Sequence, residues 1–130
     1  MAIIQFTAKD LKRGIIVEPA WYKITIDDVD NGSASKDGKS INYLAEGTII
    51  KNDDNGDEKY SGVPVVWNFN SKGIGFMKGL FEALGHEVTV ESRFDTNGLP
   101  GKTVAVFIGN RVYEGKMQND VTHQYRAAKD

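Results

Sequence analysis

The chain has no cysteine among its 130 residues. Disulfides, thiolate metal sites and cysteine redox chemistry are therefore excluded. No apolar run exceeds the five residues from Val104 to Ile108, far short of the length a membrane-spanning helix needs. The N-terminus, MAIIQFTAKDLKRG, has no long apolar stretch behind a basic start, so no signal peptide is expected. A strong excess of charge is missing too. Sixteen Lys and Arg stand against eighteen Asp and Glu, for a net charge of -2, which argues against a strongly basic nucleic-acid binder.

Catalytic and ligand-binding motifs are equally scarce. Gly73-Ile74-Gly75 suggests a dinucleotide fingerprint, but the third glycine is replaced by Lys78 and no βαβ unit follows. Gly101-Lys102-Thr103 resembles the end of a phosphate-binding loop, yet its first glycine would fall at Thr96 and a strand follows in place of a helix. Asp53, Asn55 and Asp57 imitate a calcium loop that has Glu58 where glycine is required. His86 and His123 are the only histidines, and their spacing suits no zinc pair. Asp27 and Asp28, adjacent on an expected strand, should face opposite sides. No catalytic site, metal or cofactor is expected.

What is present is strand and turn pattern around one helix. Val63 to Asn70 is apolar and β-branched, as a strand should be. Met77, Leu80, Phe81 and Leu84 then recur at helical spacing, with Ser71 as an N-cap and Gly85 as a stop. Trp21 to Val29 alternates, with Tyr22, Ile24 and Ile26 on the core face and Trp21, Lys23, Thr25 and Asp27 opposite. Ser40 to Ile50 reads as the next strand, with Gly47 at a bulge. Glu87 to Phe94 reads as a short strand. Thr103 to Ile108 places Val104, Val106 and Ile108 inward, and Ala105 and Phe107 outward. Gly109-Asn110 and Glu114-Gly115 are turn signals, and Met117 to Arg126 is the last strand, with Val121 inward.

This is the pattern of a mainly β protein, a five-stranded OB-type barrel with one helix after the third strand. Residues 1–18 form an N-terminal arm whose Ile3, Ile4, Phe6, Leu11, Ile15, Ile16 and Val17 are too apolar for a free tail, so it should pack on the barrel. Residues 19–130 form the single OB-like domain. Charge is unevenly placed along it. Residues 51–91 carry four Lys and seven Asp or Glu, whereas residues 92–130 carry six Lys or Arg and four acids. The acidic stretch Asp53 to Glu58 is rich in turn formers, so it should project into water and be dispensable for folding.

β-barrels that bind single strands stack bases on aromatic side chains and follow the phosphates with Lys or Arg. Aromatic and basic residues interleave here as Trp21 with Lys23, Tyr43 near Lys36 and Lys39, Phe107 with Arg111, and Tyr125 with Arg126, and Arg111, Lys116 and Arg126 are the expected phosphate contacts. Trp21 lies on the polar face of its strand and is the leading stacking residue. Trp67 shares its face with Val63, Val65 and Phe69, which reads as core, although it completes the candidate set.

Three blocks carry a family resemblance. They are Trp21 to Val29, the helix end Leu80 to Gly85, and Leu99 to Val104 followed by Tyr113 to Val121. Their order and spacing resemble the small proteins of tailed phages encoded in replication and recombination gene clusters, which are similar to OB-fold single-stranded DNA-binding proteins. The resemblance covers roughly residues 15–127. It implies a sequence-tolerant single-stranded DNA-binding protein without cofactor, acting in the cytoplasm of an infected bacterial host, with a replication or recombination protein as a second partner. A homo-oligomer is compatible with that role. The chain departs from better-known relatives in ending Tyr125-Arg126-Ala127-Ala128-Lys129-Asp130, without an acidic recruiting tail. The alternative is an interaction module of the same fold that docks a recombinase or replisome component through its exposed aromatics.

Overall fold

The computed structural model describes residues 3–30, 32–34, 36, 38–70, 74–92 and 96–129. Among these described residues two α-helices and six strands follow one another as α1 (Ala8–Lys12), β1 (Ala20–Val29), β2 (Ser33–Ala34), β3 (Ile41–Asn52), β4 (Pro64–Asn70), α2 (Ile74–Ala83), β5 (Thr103–Tyr113) and β6 (Lys116–Arg126). A 3₁₀ turn at Thr96–Gly98 precedes β5. The protein is mainly β, as its alternation predicts. All pairings are antiparallel. β3 pairs with β1 on one side and β4 on the other, and the order continues from β1 through β5 to β6. The sheet has six strands, the sixth being the two-residue β2 beside β3, and no ladder joins β4 to β6 among the described residues.

The core forms where the alternating faces converge. Tyr22, Ile24 and Ile26 of β1, Ala45 and Ile49 of β3, Val65, Trp67 and Phe69 of β4, and Val104, Val106 and Ile108 of β5 are all buried. Helix α2 closes this core with Met77, Leu80 and Phe81, the stripe its spacing predicts. Its expected N-cap, Ser71, lies outside the described residues. Gly47 sits where backbones crowd. A Cβ there would stand 2.9 Å from the Thr25 carbonyl oxygen and 3.2 Å from the Trp67 ring. The β1–β3 register shifts between Ile26 and Asp28, opposite Gly47 and Glu46. Both Asp27 and Asp28 are therefore exposed, where simple alternation would send one inward.

Four local expectations are corrected. The expected strand Glu87 to Phe94 is not one over Glu87 to Ser92, and its last two residues lie outside the described residues. Thr89 and Ser92 bond to each other's backbone and close a turn. Gly109-Asn110 is no turn, because β5 runs straight through it to Tyr113. The reversal is at Glu114-Gly115, both at positive φ (51° and 77°) as a type I′ hairpin requires. Ala105 shares the outer face with its cross-strand partners Lys23 and Arg126, yet it is buried there and not exposed. The arm contains a helix its apolar count does not announce, capped by Thr7 and Asp10 in a reciprocal capping box. Of the apolar arm residues, Val17 is buried in the core, whereas Ile3, Ile4, Phe6 and Leu11 are largely exposed.

Candidate nucleic-acid interface

The candidate residues divide between two surfaces. One is the outer face of β1, β5 and the end of β6. Lys23 stands there beside Lys51 of β3 and Ala105 of β5, and Trp21 is paired with Phe107. The Trp21 and Phe107 rings meet edge to face at 5.8 Å. Arg126 lies over the Trp21 ring at 4.4 Å. Its Nε and Nη2 donate to Asp53 Oδ2 at 3.0 and 2.7 Å, and Nη2 also donates to Asp54 at 2.6 Å. The Asp53 carboxylate is fully buried and accepts a third hydrogen bond from the Lys129 backbone at 2.9 Å.

This cluster overturns two expectations. Arg126 is not a free phosphate ligand, since its guanidinium is already neutralised by two carboxylates and covers one face of Trp21. The acidic stretch does not merely project into water. Asp53 ties residues 52–54 to the end of β6, and its backbone N–H donates to the Trp21 carbonyl at 2.8 Å. The hydrogen bonds from Arg126 and Lys129 hold the exposed Asp54 carboxyl below its ordinary pKa. Tyr125 is a further correction. It points inward beneath α2, where a Cβ on Gly79 would touch its ring. Burial pushes its phenol well above the usual value, so it presents no ring to a base. Trp67 is buried as its strand pattern predicts, and its Nε1 finds no hydrogen-bond partner among the described residues.

The second surface is a groove of about 610 Å³. One wall is the outward face of β3 and β4, with Leu44, Pro64, Val66 and Asn68. The other is the β5–β6 hairpin, with Arg111, Lys116, Met117, Asn119, Asp120 and His123. The arm reaches its rim with Gly14 and Ile16. Leu44, Val66 and Met117 are exposed, so the walls offer apolar contact. Arg111 and Lys116 enter no salt bridge among the described residues, which leaves two cations at a cleft of mixed polar and apolar lining, with Asp120 the acid that shares it. Arg111 also lies 6.0 Å from the centre of the exposed Tyr113 ring.

The candidates thus separate. Arg111 and Lys116 belong to the groove, which the buried Trp67 also lines, whereas Trp21, Lys23, Phe107 and Arg126 do not line it. Tyr43 stacks on Phe69 at 5.4 Å and lies under Gly32 of the β1–β3 connection. Lys36 and Lys39 are exposed on that same connection. Interleaving alone does not single out Tyr113. Its signal is its place between Arg111 and Lys116, one residue before the Glu-Gly turn, which puts an aromatic at the tip of a basic hairpin. Among the described residues no three His, Asp or Glu side chains gather as a metal site, and no helix is long and apolar enough to cross a membrane. No protein-family model matches the chain, and no curated protein matches it closely enough to indicate a family.

Proposed function

We propose that this protein binds single-stranded DNA without strong sequence preference, and that the strand lies in the groove between β4 and the β5–β6 hairpin. With the two-residue β2 set aside, five strands pair in the order β4-β3-β1-β5-β6, with α2 between β4 and β5. That order supports the reading of an OB-type barrel, in which β4 and β6 would be the two strands that meet at closure. In OB folds the face of the second and third strands and the loops beside it bind oligonucleotides. Here that face is β3 with β4, flanked by the connection carrying Lys36 and Lys39 and the hairpin carrying Arg111 and Lys116. The observation that carries the reading is a pair of cations, in no ion pair among the described residues, at a groove of mixed polar and apolar lining that also holds Asp120, with the exposed Tyr113 beside Arg111. Phosphates would be met by Arg111 and Lys116, and a base by the Tyr113 ring. A setting in phage replication or recombination, inside the bacterial host, follows from the resemblance of the sequence blocks.

The exposed Val66, Val112, Tyr113 and Met117 also favour a second reading, a hot spot for a replication or recombination protein. Anisotropy of a labelled oligothymidine separates the two. At about 50 mM salt the parent should bind, and affinity should fall steeply by about 200 mM. Arg111→Ala/Lys116→Ala should weaken binding and flatten the salt slope by about 1.4, roughly 0.7 for each phosphate no longer neutralised. No binding at the lower salt would leave the docking reading in place of this one.

A further inference from the structure

We infer that Asn119 is a positioning residue for this groove, holding the basic hairpin against the arm so that Arg111 and Lys116 stand over the cleft. The inference rests on the nucleic-acid reading above and adds to it the device that fixes the two cations.

β1 pairs with β5 only along Thr103–Ile108. Beyond Ile108, β5 pairs with no strand but β6 among the described residues, from the pair Gly109–Asp120 to the pair Tyr113–Lys116. This half of the hairpin is a two-stranded ribbon that no further strand flanks among the described residues. Arg111, Val112, Tyr113, Lys116, Met117 and Gln118 are all exposed on it. Such a ribbon is marginal in water on its own, so its direction depends on what holds its base.

The base is held by the arm. Asn119 Oδ1 accepts from the Val17 N–H at 2.9 Å, and its Nδ2 donates to the Ile15 carbonyl at 2.9 Å. One side-chain amide thus satisfies two backbone groups of the arm, as a neighbouring strand would. Asn110, paired directly with Asn119 across the ribbon, places its amide 3.0 Å from the Val17 carbonyl and donates to it once its nitrogen is turned toward that oxygen. Val17 itself is 1% exposed. The ribbon is therefore pinned at one cross-strand pair to a residue anchored in the core.

Geometry makes this pin matter. Lys116 lies three residues before Asn119, a lever of about 10 Å at strand rise. A rotation of about 20° at the base moves the ammonium by roughly 3 Å, more than the tolerance of a hydrogen bond to phosphate. Arg111 follows Asn110 directly and swings with it. Without the pin, both cations miss their phosphates although neither is itself altered.

The test is a mutant cycle with a structural readout beside it. Asn119→Ala should weaken oligothymidine binding about tenfold in the parent, as phosphates go unneutralised. In the Arg111→Ala/Lys116→Ala background the same change should have less than about a twofold effect, because the groups it positions are gone. Equal effects in both backgrounds, or none in either, would overturn the inference. Amide hydrogen exchange of the DNA-free protein supplies the second measure. Asn119→Ala should speed exchange in residues 110–118 and leave β1 unchanged, and unaltered exchange in the ribbon overturns the positioning role whether or not the parent binds DNA. A parent that shows faster ribbon exchange on Asn119→Ala but binds no oligonucleotide rejects the nucleic-acid reading, and with it the purpose assigned to the pin.

Discussion

Asp53 is the side chain whose removal tests the structure most sharply. From its sequence context it is one acid in a polar, turn-rich loop. In the structure it is a buried carboxylate receiving three hydrogen bonds, from Arg126 Nε, Arg126 Nη2 and the Lys129 backbone. Breaking a buried ion pair by removing one partner costs about 3–5 kcal/mol. Arg126 keeps a side-chain exposure of 31%, so it can turn to water and retain Asp54, which places Asp53→Ala near about 3 kcal/mol. Unfolding entropy of about 2.1 cal/mol/K per residue gives roughly 270 cal/mol/K for this chain. The thermal midpoint should then fall by roughly 10 °C. Circular dichroism melts decide the matter, with Asp57→Ala as the control, because Asp57 is exposed and should shift the midpoint by no more than about 2 °C. A parent-like melt for Asp53→Ala would show that the Asp53–Arg126 clamp contributes nothing and would restore the view of this loop as dispensable.

Other expectations follow from burial and contact. Trp67→Ala should open a core cavity and cost about 3–5 kcal/mol in a denaturant titration, whereas Trp21→Ala, off the groove, should leave oligonucleotide affinity within about twofold of the parent despite its stacking potential. Gly47→Ala forces a methyl against the Thr25 carbonyl and the Trp67 ring and should cost about 1–3 kcal/mol by the same assay. Burial, opposed by the Asp120 charge, lowers the His123 pKa below its ordinary 6.5. The unfolded chain therefore takes up this proton first. Stability should fall as the pH drops from 6.5 toward the folded value, and melts of His123→Gln at about pH 7.5 and 5.5 should lack that component.

Local rules reach far into this fold. Two-residue alternation identifies the buried faces of β1, β4 and the start of β5, and helical spacing identifies the stripe of α2. These features depend on neighbours a few residues apart. What escapes depends on long-range meetings. Arg126 looks like a free cation until residues 53 and 126 are brought together by the β1–β3 and β1–β5 pairings. Tyr125 looks like a companion aromatic until β6 is laid beneath α2. Gly109-Asn110 carries turn chemistry, yet cross-strand pairing with Asn119 and Asp120 keeps it extended. The groove is half legible. Arg111 and Lys116 stand out from charge balance, but their apolar wall, Leu44 and Val66, comes from strands distant in sequence.

The exposed ribbon also carries a hazard that its charges offset. Unpaired strand edges are templates for other chains, and proteins guard them with charge, proline and bends. Here Pro64 removes a donor at the start of β4. His123 sits at a φ of 64°, beside the register shift that bends β6. Arg111, Lys116 and Asp120 keep charge along the ribbon. The same two cations assigned to phosphates thus serve as gatekeepers against edge-to-edge growth. Replacing both with valine should turn Val112, Tyr113 and Met117 into part of a continuous apolar strand pair and produce concentration-dependent aggregates in sedimentation, whereas replacing both with glutamate should abolish DNA binding and leave the protein dispersed.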